Sequence, residues 1–162
     1  MPAAAAPLPS LLADARVFRY PIEVKFGDCD PAGIVFYPNF YRWFDEAVHA
    51  ATRACGWGWE RTSRELGWLG LPLAEAGATF RRPVSPGDRL VLESRVAAVE
   101  ERRLVFSHRI QRDETLICEG FEKRFVGVLS TDDPPRVKAI EVPRDLVLAL
   151  SRAAPGPSRE GP

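Results

Sequence analysis

Hydrophobic and polar positions change period along the chain, and the changes mark its elements. Ile22, Val24 and Phe26 alternate with Glu23 and Lys25, the two-residue period of a half-buried strand. A turn-rich segment follows, Gly27-Asp28-Cys29-Asp30-Pro31-Ala32-Gly33. Pro38 then opens a helix, because its missing N–H would be unpaired in the first turn anyway. Phe40, Tyr41, Phe44, Ala47, Val48, Ala51 and Cys55 recur close to every 3.6 residues, so one helix face is apolar. Arg42, Glu46, His49 and Arg53 form the opposite stripe, and Gly56 stops the helix.

A Trp/Gly-rich connection and a short helix near residues 60–65 come next. The rest reads as strands at residues 71–82, 89–99, 103–112 and 115–129. Pro86-Gly87-Asp88 supplies a turn, and residues 111–115 a hairpin tip. Residues 145–150 form a short last helix after Pro143. One strand, one long helix and a run of long strands predict an α+β fold, the helix packed on a mainly antiparallel sheet.

Composition narrows the function. Lys plus Arg number 22 and Asp plus Glu number 22, so the formal net charge is zero. A broad phosphate-binding surface needs a basic surplus, so nucleic acid is not an expected partner. With 162 residues the chain has room for a single domain. The Ala/Pro/Gly/Ser-rich ends, 1–15 and 153–162, read as a flexible segment and a disordered tail around a domain at 16–152. No apolar run reaches the roughly 18 residues of a membrane span, and the N-terminus lacks the basic start of a signal peptide. The three cysteines are widely spaced without a C-x-x-C pair, which fits a reducing cytoplasm rather than a disulfide or zinc framework. Two histidines, His49 and His108, leave little material for a His-based metal site or a Ser-His-Asp triad. His108, mid-strand, is read as structural. Catalysis here would fall to carboxylates and backbone dipoles.

Asp28 and Asp30 lie in a turn just upstream of a helix N-terminus. The first-turn amides of a helix lack internal partners and carry partial positive charge. They can polarise a carbonyl oxygen, while a facing carboxylate attacks the carbonyl carbon or activates water. Gly33 would let backbone approach a ligand closely. The other reading is that both aspartates only cap turns. Arg102 and Arg103 lie between two strands, either as solvated charges or as phosphate ligands. Trp57, Trp59 and Trp68 either pack the core or line an aromatic pocket.

The run FGDCDPAGIVFYPNFYRWFDEA, residues 26–47, resembles the signature of the 4-hydroxybenzoyl-CoA thioesterase family of hotdog-fold proteins. A weaker likeness extends over about residues 18–150, including Ala139-Ile140-Glu141-Val142-Pro143. The resemblance implies a hotdog fold, with a long central helix wrapped by a mainly antiparallel sheet. It implies a homodimer whose sheets join edge to edge, or a homotetramer of two such dimers. It implies hydrolysis of an acyl-CoA, with no metal or other cofactor.

Matched position by position, the family's catalytic carboxylate falls on Asp30, acting as nucleophile or general base. Its carbonyl-polarising amide falls on Tyr37. Asp28 shapes the turn and Cys29 is read as packing. Gly33 and Pro38 line the substrate site, and Asp45 matches a position near its acyl end. Arg102, Arg103 and Lys138 match the residues that hold the CoA nucleotide, from the same or another subunit. Related thioesterases of the Tol-Pal-associated type usually carry His where this chain has Pro38. That departure favours an aromatic acyl group, hydroxybenzoyl or benzoyl, over a short aliphatic one. A non-catalytic acyl-CoA binder is the other alternative. An acyl-thioester dehydratase would need a histidine beside an acid, which the motif lacks.

Overall fold

The computed structural model describes residue 12, residues 15–100 and residues 102–152. The ends read as loose, 1–15 and 153–162, lie outside these apart from Leu12 and Ala15. The chain order is β1 (Phe18–Glu23), α1 (Pro38–Ala54), β2 (Leu73–Phe80), β3 (Arg89–Glu100), β4 (Arg103–Arg112), β5 (Thr115–Leu129), β6 (Val137–Ile140) and α2 (Arg144–Ser151). A π-helical turn spans Glu60–Glu65.

All pairings are antiparallel, in the order β1-β3-β4-β5-β2, and β6 pairs with the far end of β5. The sheet wraps α1. Phe40, Trp43, Phe44, Ala47, Val48 and Ala51 are buried along one face of that helix. Each large side chain so buried contributes about 1.5–3 kcal/mol. Together with α2, they divide the core into two clusters. Leu90, Leu92, Ile110 and Ile117 sit near the start of α1. Val96, Leu104, Phe106 and Leu146 sit near its end.

Three readings change. The first strand starts at Phe18 and stops at Glu23, and Phe26 lies in a 3-10 turn with 87 % of its surface exposed. The alternation through Phe26 therefore outruns the ladder. Trp43, outside the apolar stripe read above, is buried and packs edge-on against Phe40 at 5.2 Å. Strand β6, unread, is short and flanked by prolines.

Candidate functional site

The loop between β1 and α1 is held from both ends. Cys29 and Val35 bridge across it, and Asp30 N donates to Ile34 O at 2.9 Å. Gly33 N donates to Asp30 O at 2.9 Å, closing a turn that needs a positive φ of 76° at Gly33. Outside the turn, Val35 N reaches Val84 O and Val24 N reaches Asp88 O. The loop is thereby fixed to the segment that leads into β3.

The two aspartates have opposite surroundings. Asp28 is buried. Its carboxylate accepts from Lys25 N at 2.9 Å and from Arg42 Nη2 at 2.6 Å. Its carbonyl accepts from Phe36 N at 2.9 Å and Asn39 Nδ2 at 2.8 Å. Arg42 also pairs with Glu46, which accepts from the Tyr20 hydroxyl. Asp28 is thus a structural knot between loop and helix. Asp30 is half-buried, and its Oδ1 accepts from Ala32 N at 2.8 Å. That bond fixes the carboxyl while leaving Oδ2 available.

At the start of α1 the amides are shared out. Asn39 N bonds Phe36 O and Phe40 N bonds Tyr37 O, while Pro38 has no N–H. Among the described residues the Tyr37 N–H has no acceptor. It stands at the positive end of the helix dipole, on the same loop as Asp30. Phe36 and Tyr37 are exposed beside it, and Phe80, at the end of β2, meets the rings of Tyr37 and Phe40 at 6.5 and 5.1 Å.

Cys29 fits the packing reading. Partial desolvation, with the charges of Asp28, Asp30 and Asp88, pushes its thiol up from its ordinary value, away from a reactive thiolate. Trp57 and Trp68 stack at 5.5 Å against the core at the end of α1, whereas Trp59 is exposed.

The other candidates fall in two places. Arg102 Nη1 donates to Ala139 O at 3.4 Å, so the β3–β4 turn, with Arg102 and Arg103, lies against the strand carrying Lys138. This end is far from Asp30. Arg89 and Glu100 are the two ends of β3, and at about 3.3 Å per residue they are roughly 35 Å apart. The Asp30 loop sits at the first end and Arg102 at the second. Asp45, on α1, is half-exposed and accepts from Arg124 Nη2 at 2.6 Å.

Arg124 leads to a cluster absent from the sequence reading. Its Nε and Nη2 donate to Glu122 at 3.1 and 2.9 Å, and Glu122 Oε2 meets His108 Nε2 at 3.3 Å. All three are buried. Burial pushes His108 down from its ordinary value, more than Glu122 raises it. For Glu122 burial pushes up, but the bonds from His108 and Arg124 outweigh it and hold the carboxyl below the usual range. Among the described residues, no group of three His, Cys, Asp or Glu side chains could hold a metal ion, and no helix is long and apolar enough to cross a membrane.

Comparisons with known proteins bear on the fold and the family. Residues 24–150 match the family model of the thioesterase-like superfamily. The chain is 34 % identical over 139 residues to the 4-hydroxybenzoyl-CoA thioesterase of Pseudomonas sp. (strain CBS-3), covering 82 % of this chain and 96 % of that one. A crystal structure of an Asp-to-Asn variant of 4-hydroxybenzoyl-CoA thioesterase, complexed with 4-hydroxybenzoyl-CoA, superposes with a TM-score of 0.78 at 32 % identity. That match covers 85 % of this chain and 100 % of the other. A gentisyl-coenzyme A thioesterase aligns at 0.66 and 29 % identity, over 82 % and 98 % of the two chains. A sheet wrapped around α1 and these likenesses lead to one assignment: the chain belongs to the thioesterase-like superfamily, in its 4-hydroxybenzoyl-CoA thioesterase family of hotdog-fold proteins.

Proposed function

We propose that this chain hydrolyses an aromatic acyl-CoA of the hydroxybenzoyl or benzoyl kind to the free acid and CoA. It is a thioester hydrolase. The observation that carries the reading is the unpartnered Tyr37 amide at the start of α1, on the same loop as Asp30. The amide and helix dipole stabilise the charge that grows on the thioester oxygen. Asp30 either adds to the carbonyl carbon, expelling CoA thiolate and leaving an anhydride for water, or takes a proton from the water that attacks. Both routes end in the same products. A thiol ionises near pH 8.5, about seven units below water, so the leaving group needs little protonation. Phe36, Tyr37 and Phe80, part-exposed around the loop, offer the aromatic wall that a benzoyl ring would use. Asp45 would meet the polar end of the acyl group.

The site is completed by a second copy of the chain. β2 closes one side of the sheet, and Leu73 and Phe80 at its ends are 49 % and 44 % exposed. An open strand edge with apolar ends is a template for pairing. Pairing β2 with its two-fold mate sets the Leu73 end of one chain beside the Phe80 end of the other. Leu73 is level with Arg124, and Arg103 with Phe125. The mate's Arg102, Arg103 and Lys138 thereby come toward this chain's Asp30, to take the CoA phosphates. Two such dimers could stack as a tetramer.

Thiol release from a panel of acyl-CoAs tests the reading. Wild type should cleave aromatic thioesters, and Asp30→Asn should lower kcat by about 10²–10⁴-fold, the usual weight of a positioned acid–base group. Full activity in Asp30→Asn would remove Asp30 from the mechanism.

A further inference from the structure

Among the described residues, the amide without an acceptor at the start of α1 belongs to Tyr37, and the bonds around it set where it points. Residues 28–30 and 34–36 form a short antiparallel ladder. Phe36 N reaches Asp28 O, Cys29 bridges Val35, and Asp30 N reaches Ile34 O. On either side the amides are taken, Val35 N by Val84 O, Asn39 N by Phe36 O and Phe40 N by Tyr37 O. The register of the ladder therefore sets how Asp30 stands to the Tyr37 N–H. An isolated two-stranded ladder is marginally stable at best, so that register needs support from elsewhere.

The support comes from α1. Asn39 Nδ2 donates to Asp28 O at 2.8 Å. Arg42, three residues on and so on the same helix face, donates from Nη2 to Asp28 Oδ1 at 2.6 Å. Arg42 Nε meets Asn39 Oδ1 at 3.3 Å, which ties the two grips together. Arg42 Nη1 donates to Glu46 Oε1 at 2.9 Å, and Glu46 Oε2 accepts from the Tyr20 hydroxyl of β1 at 3.1 Å. The bonds thus run from β1 through α1 to the ladder. Tyr37 stands between Phe36, bonded to Asp28, and Asn39, bonded to the same carbonyl.

Stability is a weak reason for this arrangement, because well-packed apolar side chains in place of a buried ion pair are often no less stable. Aim is a stronger one. A helix-start donor helps only where charge develops on the reacting oxygen, and a misplacement of about 1 Å can cost about 10²-fold in rate.

We propose that Asn39, Arg42 and Asp28 are positioning residues, which hold the ladder against α1 so that the Tyr37 N–H and the Asp30 carboxyl face one thioester carbonyl. Glu46 and Tyr20 brace Arg42 from behind. None of these side chains needs to touch the substrate. This rests on the roles proposed for Asp30 and Tyr37.

The test uses whichever of 4-hydroxybenzoyl-CoA and benzoyl-CoA the full chain cleaves faster, isotope-labelled at the thioester carbonyl carbon. Infrared difference spectra are taken in Asp30→Asn, where the bound ester persists. There the carbonyl band should move to lower frequency on binding. Adding Asn39→Ala or Arg42→Ala should remove at least about half of that displacement. With Asp30 intact, the same two substitutions should lower kcat by about tenfold or more and leave KM within about twofold, because the lost interaction belongs to the transition state. Arg42→Lys keeps a cation for Asp28 without the fork that also reaches Glu46 and Asn39, so it should recover about threefold of the kcat lost in Arg42→Ala.

No cleavage of either ester by wild type, or no displacement in Asp30→Asn, overturns the Tyr37 reading and the proposal with it. A displacement undiminished in either alanine variant overturns the positioning roles alone. So does a loss confined to KM, or a smaller folded fraction by near-UV circular dichroism with kcat per folded chain unchanged. Should the alanine variants not fold, Arg42→Lys decides. A kcat lowered by more than about twofold at unchanged KM supports the proposal, and a smaller loss overturns it.

Discussion

His108 and Glu122 tie stability to pH in a direction their surroundings fix. The buried His108 ring is held neutral below its ordinary value of 6.5. As pH falls through that value the unfolded chain takes up a proton that the folded ring refuses, so stability drops. The drop ends only at the lower pKa of the folded ring. Glu122, held below 4.5 despite its burial, by its bonds to His108 and Arg124, adds a second loss as pH falls through 4.5. Urea midpoints from pH 8 to 4 should be flat with respect to these groups above about pH 7 and fall below it. One proton sets the slope at no more than about 1.4 kcal/mol per pH unit. His108→Gln, which keeps a donor for Glu122, should remove the first window and leave the second. His108 is read from the sequence only as a structural mid-strand residue, and Glu122 and Arg124 escape a reading by hydrophobicity for a physical reason. On β5 the face turned to the helix carries Cys118, Gly120, Glu122 and Arg124, whereas Phe121 and Phe125 on the other face are part-exposed. Charge is buried there because its partners arrive from other elements, Asp45 of α1 among them, 79 residues away from Arg124. The roles proposed for Asp30 and Tyr37 are legible because they depend on neighbours within one short loop.

At the scale of elements, the contact of α1 with the sheet rests on a missing side chain. A Cβ on Gly120 would lie 2.6 Å from Phe44 Cε2 and 2.7 Å from Gly77 O. The ring that packs there is the one that stacks on His108, so displacing it disturbs core and buried polar cluster together. Gly120→Ala should destabilise the fold by about 1–3 kcal/mol or more, the usual cost of overpacking. Gly27→Ala, where a Cβ meets nothing within 4 Å, should stay within about 0.5 kcal/mol. Thermal unfolding of the two variants checks the pair. The long elements are the legible ones: α1 by its apolar stripe, Pro38 and Gly56, and β3 to β5 by alternation and turn residues. β1 is displaced because Val24 keeps the period and is buried after the strand has ended, in the segment bonded to Asp88. β6, from Val137 to Ile140, is too short to show a period and owes its form to β5.

For the whole molecule, the proposed two-fold pairing makes each site from two chains, and mixing can show it. One chain carries Asp30→Asn with its basic residues intact. The other keeps Asp30 and carries Arg102→Ala, Arg103→Ala and Lys138→Ala. Each alone should be impaired, the first in kcat and the second mainly in KM for CoA esters, with a weaker dependence on salt. If each chain lends its basic turn to its mate, a mixed dimer holds one site with both parts intact and one with neither. Random mixing makes half the dimers mixed, so activity should recover to about a quarter of wild type after the chains are unfolded together and refolded. If the basic residues served their own chain's Asp30, no site in the mixture would be whole and activity would stay at the average of the two variants. The roughly 35 Å between the ends of β3, at about 3.3 Å per residue, favours the first outcome. The Asp30 loop is tied beside Asp88, just before β3 begins, and Arg102 follows its last residue, Glu100.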